Sequence, residues 1–312
     1  MVLTDDAQLA DANALVITDD TGLGTITNDD GVPTVSIADV TEAENLDGTI
    51  SLTVSLTALS DQDINVDYTT ATTPGTATAG VDFTAAAGTL TIAAGSSDGT
   101  VDVLVTGDTV NEADETLIVT LSNAELADTT SLTITDAEGT GTIDNDDVVV
   151  VGIDDVTEDE NLDGSFDFTV SILSGVTSDQ DVTFTVGTAD GTALSASDYT
   201  ATPTTGTSGT ITAGQTTYTV SVAVSGDTSD EDDETFTADL SVLGGGSDAT
   251  PTFEGAGGTE SGTGTITNDD TAPTVSIADP VASDEGTTLT FAVTLDAASG
   301  RTVTVDYVTS DG

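Results

Sequence analysis

The sequence predicts an all-β chain built of tandem antiparallel β-sandwiches, about seven strands to each, and three observations predict it. Apolar Val, Ile, Leu, Phe and Tyr alternate with Thr and Ser over short runs, the pattern of a sheet with one buried face. Gly, Asp and Thr turns separate those runs at the density expected of a sandwich. The stretch GTGTIDNDD at 139–147 recurs as GLGTITNDD at 22–30 and GTGTITNDD at 262–270. That period, roughly 120 residues, is a whole domain and not a solenoid turn.

The strands follow in order. Ile50, Leu52, Val54 and Leu56 alternate in TISLTVSLT, then Ile64, Val66 and Tyr68 in INVDY. Val101, Val103 and Val105 follow, then Leu117, Val119 and Leu121, then Leu132 and Ile134. A second unit repeats the scheme with Phe166, Phe168, Val170 and Ile172, then Val182, Phe184 and Val186. Tyr218, Val220, Val222 and Val224 come next, then Phe236 and Leu240. No stretch carries a convincing period of 3.6.

The register of the repeats sets the expected boundaries. Residues 1–30 match 118–147 and read as only the closing hairpin of an incomplete repeat. Complete repeats are expected at 31–147 and 148–270. Residues 271–312, opening PTVSIADP and reaching VTVDY, match the first strands of a further repeat. The chain therefore reads as part of a longer array. A lone hairpin cannot bury its apolar face, so head and tail either stay unpaired or complete each other within or between chains. The joints are about four residues long and two carry Pro33 and Pro273, which suits a rod.

Composition excludes several functions. Asp and Glu number 57 against a single basic residue, Arg301, for a net charge of −56, with no His and no Cys. Nucleic-acid binding needs Lys and Arg to neutralise phosphate, and anionic membranes repel such a chain. Natural partners are cations, basic surfaces or solvent. Thiolate metal sites, disulfides and cysteine nucleophiles are absent. Without His, Cys or Lys, enzyme chemistry shrinks to paired carboxylates or an unassisted hydroxyl. No run of about 18 apolar residues spans a bilayer. The opening MVLTDDAQLADAN lacks the basic and apolar regions of a signal peptide.

The acids cluster in turns. The first complete repeat places Glu44 after its first strand and Asp82 in GTATAGVDF. GDTVNEADET then brings Asp108, Glu112, Asp114 and Glu115, and the closing NDD adds Asp146 and Asp147. The second repeats the arrangement with Glu160, Asp198, Asp227, Glu231, Asp233, Glu234, Asp269 and Asp270. An isolated acidic turn is ordinarily solvated; four that recur at matching places point to sites. Asp63, Asp67 and Asp102 instead alternate outward and read as solubility charges. A Greek-key sandwich gathers alternate loops at one pole, where unneutralised carboxylates repel. Ca²⁺, which takes six to eight oxygens in irregular geometry, resolves that repulsion; Zn²⁺ would want His or Cys.

The order of VSIADVTEAENLDGTISLTVSL, VDYTTATTPGTATAGVDFT, GTLTIAAGSSDGTVDVLVTGDTVNEADETLIVTLSNA and GTGTIDNDD resembles the Calx-beta domain, the calcium-binding module of sodium/calcium exchangers. The same module stands in tandem in large bacterial surface proteins. GTALSASDY, DEDDETF and ITNDD carry the resemblance in the second repeat. It implies seven-stranded immunoglobulin-like sandwiches in an extended rod. It also implies calcium ligands at Glu44, Asp82, Asp108, Glu112, Glu115, Asp146 and Asp147. Their counterparts are Glu160, Asp198, Asp227, Glu231, Glu234, Asp269 and Asp270. Two departures suggest fewer or weaker ions: Asn145 and Asn268 stand where the family has Asp, bringing a neutral oxygen or none, and the acidic loop is thinner. The second repeat also carries an insertion, GGGSDATPTFEGAGG.

The expected function is a calcium-binding structural region of a bacterial extracellular or cell-surface protein: an adhesin stalk, matrix fibre or filament, secreted and not enzymatic. Its partners would be neighbouring repeats, identical chains, or surface and matrix components, with no membrane insertion. The alternatives are a calcium-sensing module, a filament subunit that polymerises by strand complementation between its incomplete ends, and a halophilic surface whose acids hold hydrated ions.

Overall fold

A computed structural model describes residues 16–311, apart from 28, 30, 45–47, 161–163, 174, 203–206, 247–249 and 256–257. Much of the head segment, including Asn28 and Asp30, and part of the 244–258 insertion therefore lie outside the described residues.

The first repeat contains β1 (Thr34–Ile37), β2 (Val40–Ala43), β3 (Thr49–Leu56), β4 (Ile64–Ala71), β5 (Ala87–Ile92), β6 (Asp98–Leu104), β7 (Val110–Asn111), β8 (Glu115–Leu126), β9 (Thr133–Asp136) and β10 (Glu138–Asp144). Alternation does in space what it promised in sequence. Ile50, Leu52 and Val54 of β3 are buried, while the Thr and Ser residues between them face out. One sheet has the order β6-β3-β1-β9 and the other β2-β10-β8-β4-β5, and their inner faces close on one core.

The second repeat follows the same plan. Its strands are β11 (Val150–Ile153), β12 (Val156–Asp159), β13 (Ser165–Ile172), β14 (Thr177–Ser178), β15 (Val182–Asp190), β16 (Thr207–Ile211), β17 (Thr217–Ala223), β18 (Glu234–Gly245), β19 (Thr252–Phe253) and β20 (Glu260–Thr267). Its sheets run β17-β13-β11-β19 and β12-β20-β18-β15-β16 around a separate core. Aromatics fill that core: the Phe236 ring stacks on Tyr199 at 4.5 Å and meets Phe168 edge-on at 5.9 Å.

Among the described residues, each sandwich thus shows nine paired segments where about seven strands were expected, and some of the pairs are parallel. Both differences have one cause. Seven strands joined by six reversals leave the first and last pointing the same way, so they meet as parallel neighbours. Each also crosses from one sheet to the other, as strands at sandwich corners do. The first is therefore cut into β1, which pairs β9, and β2, which pairs β10. In the second repeat, β11 pairs β19 and β12 pairs β20, again in parallel.

The closing GTGT motif is explained by this crossing. Gly139 and Gly141 point inward, as do Gly262 and Gly264, while the intervening threonines sit nearer the surface. A Cβ on Gly262 would lie 2.2 Å from the Asp154 carbonyl oxygen, and one on Gly264 would lie 2.6 Å from the Phe236 ring. Backbone cannot yield as a side chain can. Gly262→Ala should therefore cost about 1–3 kcal/mol, the range for overpacking. The check is the melting temperature of the second repeat, which should fall while the first repeat's transition stays in place.

In the tail, β21 (Val275–Ile277) pairs β22 (Val293–Leu295) with both strands exposed, and the anticipated strand at 303–307 is not formed. Val16, Leu23 and Ile26 of the head are exposed as well. Between the repeats, β7 and β14 form a short parallel pair, Val110 opposite Thr177 and Asn111 opposite Ser178. Among the described residues, no helix is long and apolar enough to cross a membrane.

Candidate metal centres

Each sandwich gathers acids at one pole, and the shared direction of its first and last strands brings the first group together. Running parallel, β2 and β10 end side by side and release Glu44 next to the run 145–147. The Glu44 N–H donates to the Asp144 carbonyl at 2.8 Å, and the Glu160 N–H donates to the Thr267 carbonyl at 3.1 Å. Glu44, Asp146 and Asp147 can each place one carboxylate oxygen within 4.8 Å of the others, and so can Glu160, Asp269 and Asp270.

The second group comes from two loops. Asp82 precedes Phe83, whose buried ring anchors the GxDF turn in the core; Tyr199 anchors Asp198 in the same way. The turn closes on the acid itself, with the Thr78 N–H donating to Asp82 Oδ2 at 2.5 Å and the Leu194 N–H to Asp198 Oδ2 at 2.7 Å. Asp82 then meets Glu112 and Glu115, all three within the same 4.8 Å reach. Among the described residues, Asp198, Glu231 and Glu234 are not drawn together as closely. They line a cleft of about 700 Å³ together with Glu160, Asp227 and the tail's Arg301.

Asp108 stands between the two groups. Its N–H donates to Glu44 Oε1 at 3.2 Å, and its own Oδ1 accepts the Val110 N–H at 2.6 Å. Asp227 makes the equivalent turn with Ser229 at 2.6 Å. All fourteen expected ligands thus sit around two poles, seven to each.

The electrostatics are those of crowded, partly dry carboxylates. Burial, then the Asp108 charge, raises Glu44 to about 7. Burial, then the hydrogen bond and charge of Asp82, raises Glu115 to about 8. Burial, then the Asp198 charge, raises Glu234 to about 7. Glu112, Asp147, Glu160, Glu231 and Asp270 are also pushed up, in each case chiefly by burial. Glu44 and Glu160 are nearly inaccessible, at 5% and 6% exposure. Among the described residues, four buried carboxylate oxygens have no hydrogen-bond partner: Glu115 Oε2, Asp147 Oδ2, Glu160 Oε1 and Asp270 Oδ2. Such atoms cost free energy unless something positive meets them. The donors are all oxygen, which fits a hard divalent cation.

The two asparagines have a specific structural task. Asn145 Oδ1 accepts the Glu112 N–H at 3.4 Å, and its Nδ2 donates to the Asp147 carbonyl at 3.2 Å. Asn268 does the same with Glu231 and Asp270, both at 3.1 Å. The side-chain oxygen is thus taken up by backbone, and the residue clamps the acidic loop to the closing run. Asp114 and Asp233 complete the clamp by accepting the backbone N–H of Asn145 and Asn268, each at 3.1 Å.

Sequence reasoning missed Asn111, Ser178 and Asp230, which are buried polar residues beside the poles. Asn111 Nδ2 donates to the Asp147 carbonyl at 2.7 Å and so ties the inter-repeat pair to the closing acids. A visible signal existed: Asn111 opens the run NEADE where the counterpart, DEDDE, opens with Asp230.

The Calx-beta domain model matches residues 27–142, 144–270 and 268–312. No curated protein matches the chain. Among solved structures, CBD12 from CALX1.2 is 19% identical and covers 74% of this chain and 99% of its own, with a TM-score of 0.35. The calcium binding domain CBD12 of CALX1.1 is 20% identical over 67% of this chain and 80% of its own, TM-score 0.35. The apo-form Calx CBD1 domain is 26% identical over 37% of this chain and 98% of its own, TM-score 0.32.

Proposed function

The chain belongs to the Calx-beta domain family, and from that premise we propose that its two complete repeats are calcium-binding structural modules. The observation that carries this reading is the set of buried carboxylate oxygens that converge at each pole without partners. Glu44, Asp146 and Asp147 would hold one ion and Asp82, Glu112 and Glu115 another, with Asp108 between them. Glu160, Asp269 and Asp270 would hold an ion at the second pole, with Asp198, Asp227, Glu231 and Glu234 around it. The ion supplies the positive charge that these groups lack, and the protein's part is to orient the oxygens and exclude water.

The biological setting proposed is a secreted or surface-attached bacterial array, a stalk or matrix fibre. Each pole lies against the joint to the next repeat, so that bound calcium stiffens the array. The role is binding and mechanical, with no catalysis. The exposed Val275, Ile277, Val293 and Leu295 on the tail's two-stranded pair favour a further element of this reading. Closing strands from a neighbouring repeat or an identical chain would cover them.

The test is a thermal melt of the chain in chelator, in millimolar calcium and in magnesium. A ligand that binds only the folded state at 100 times its dissociation constant adds about 2.7 kcal/mol. A calcium-specific rise of roughly 5–15 °C is expected. Equal effects of calcium, magnesium and sodium would reduce the poles to a general salt-adapted surface.

A further inference from the structure

The same turn occurs three times, at the same place before a repeat's middle strands. The Gln62 N–H donates to Ser60 Oγ at 3.0 Å, the Gln180 N–H to Ser178 Oγ at 3.2 Å, and the Arg301 N–H to Ser299 Oγ at 3.1 Å. Two of these turns dock on the acidic loop of the repeat before them, in the same register. Ser178 pairs in parallel with Asn111, and Ser299 pairs in parallel with Asp230. Asn111 immediately precedes Glu112, and Asp230 immediately precedes Glu231. Each docked turn therefore sits over the acids of a pole.

The two joints share a backbone and differ in charge at three positions. At the first, Asn111 faces a turn made of Ser178, Asp179 and Gln180, so the following repeat adds a carboxylate to the pole. The Asp179 N–H bonds the Asn111 carbonyl at 3.1 Å, which places it one residue from Glu112. At the second, Asp230 faces Ser299, Gly300 and Arg301. The Arg301 guanidinium lies 2.9 Å from Asp232 and 3.6 Å from Asp230, and it donates to the Glu231 carbonyl. Gly300 makes room for this: a Cβ there would come within 2.8 Å of Glu231 Oε1. The only basic residue of a chain with net charge −56 is thus spent on one joint.

We infer that these positions set the cation requirement of each joint: the Arg301–Asp230 pair locks the second joint by itself, whereas the first, with Asp179 and no basic residue, is held only when a divalent cation neutralises its pole. Asp230 is buried and Arg301 half-exposed, so their pairing is screened less than that of two fully exposed charges. Like charges at the first joint push the docked turn away until a cation intervenes. The Arg301 lock needs no calcium; the cation requirement of the first joint rests on the calcium reading above.

Hydrogen–deuterium exchange on the full chain tests this, read on peptides spanning 175–181 and 297–303. Those segments hold the Thr177 and Asp179 amides of the first joint and the Gly300 amide of the second. In chelator, 297–303 should exchange at least about tenfold more slowly than 175–181, since an opening penalty of 1.4 kcal/mol is a factor of ten. Arg301→Gln should abolish that protection, and the charge swap Asp230→Arg with Arg301→Asp should restore most of it, which separates locking from misfolding. Calcium chloride should then slow 175–181 to match. Equal exchange at the two joints in chelator, or protection unchanged in Arg301→Gln, overturns the lock. Failure of calcium alone to protect 175–181 overturns the cation requirement at the first joint and leaves the Arg301 lock standing; if calcium also fails to raise the melting temperature, the calcium reading falls with it.

Discussion

Replacing Glu160 with Gln should stabilise the protein in chelator and destabilise it in calcium. The sign reverses because the residue is nearly inaccessible and its Oε1 meets no partner. Without a cation, its charge is both desolvated and repelled by Asp270. An unsatisfied buried polar group costs about 1–3 kcal/mol, more when charged. Removing the charge should therefore raise the chelator melting temperature of the second repeat by roughly 4–10 °C. In calcium the same change deletes an anionic ligand, and the calcium-induced gain at that pole should shrink or vanish. Paired melts of the variant and the parent chain, with and without calcium, give all four numbers. A variant that lost stability in both conditions would show that Glu160 acts as ordinary packing.

Raising the pH in chelator should weaken the fold, and calcium should remove the effect. Glu44 and Glu234 are held at about 7 and Glu115 at about 8, against an ordinary 4.5 for a glutamate. Between those values the folded chain holds protons that the unfolded chain has released. Stability then falls as pH rises, by the linkage relation. The contribution is fully present below about 4.5 and is lost as pH passes through 7 to 8. Chemical denaturation at pH 5, 6.5 and 8.5 should show a falling midpoint in chelator. In millimolar calcium the curve should be flatter or rising, because the ion replaces the protons and binds better once they have left. A chelator midpoint that rose with pH would mean these carboxylates already have favourable partners.

The acidic loops were legible in the sequence because they recur. One NDD says little, but NDD, an Asp-Phe or Asp-Tyr turn and ExDET[LF] in matching order twice over mark five of the seven expected positions in each repeat; Glu44 and Asp108, with Glu160 and Asp227, lie outside those motifs. The inward glycines of GTGT were visible as letters and silent as physics, since only the close approach of the Asp154 carbonyl and the Phe236 ring shows why a methyl does not fit. The asparagines of the closing run were readable only as a weakened ligand. Their clamp on Glu112 and Glu231 depends on a loop some 35 residues away meeting the last strand.

By itself the sequence determined the all-β class, the roughly 120-residue period, most of the alternating core residues and the identity of the acids. Those follow from local rules: alternation at a period of two, turn chemistry at fixed places, and repetition that lifts a pattern above chance. Only the tertiary structure decided which acids meet. Glu44 joins Asp146 and Asp147 because a first and a last strand of like direction lie side by side, a pairing across about 100 residues that no local pattern encodes. It also decided where Arg301 goes. On paper this is one base among 57 acids, and its partners Asp230 and Asp232 are set by the docking of a turn about 70 residues downstream of them. Charge composition fixes how much repulsion a chain must neutralise; the fold fixes where that repulsion falls and which joint can neutralise it alone.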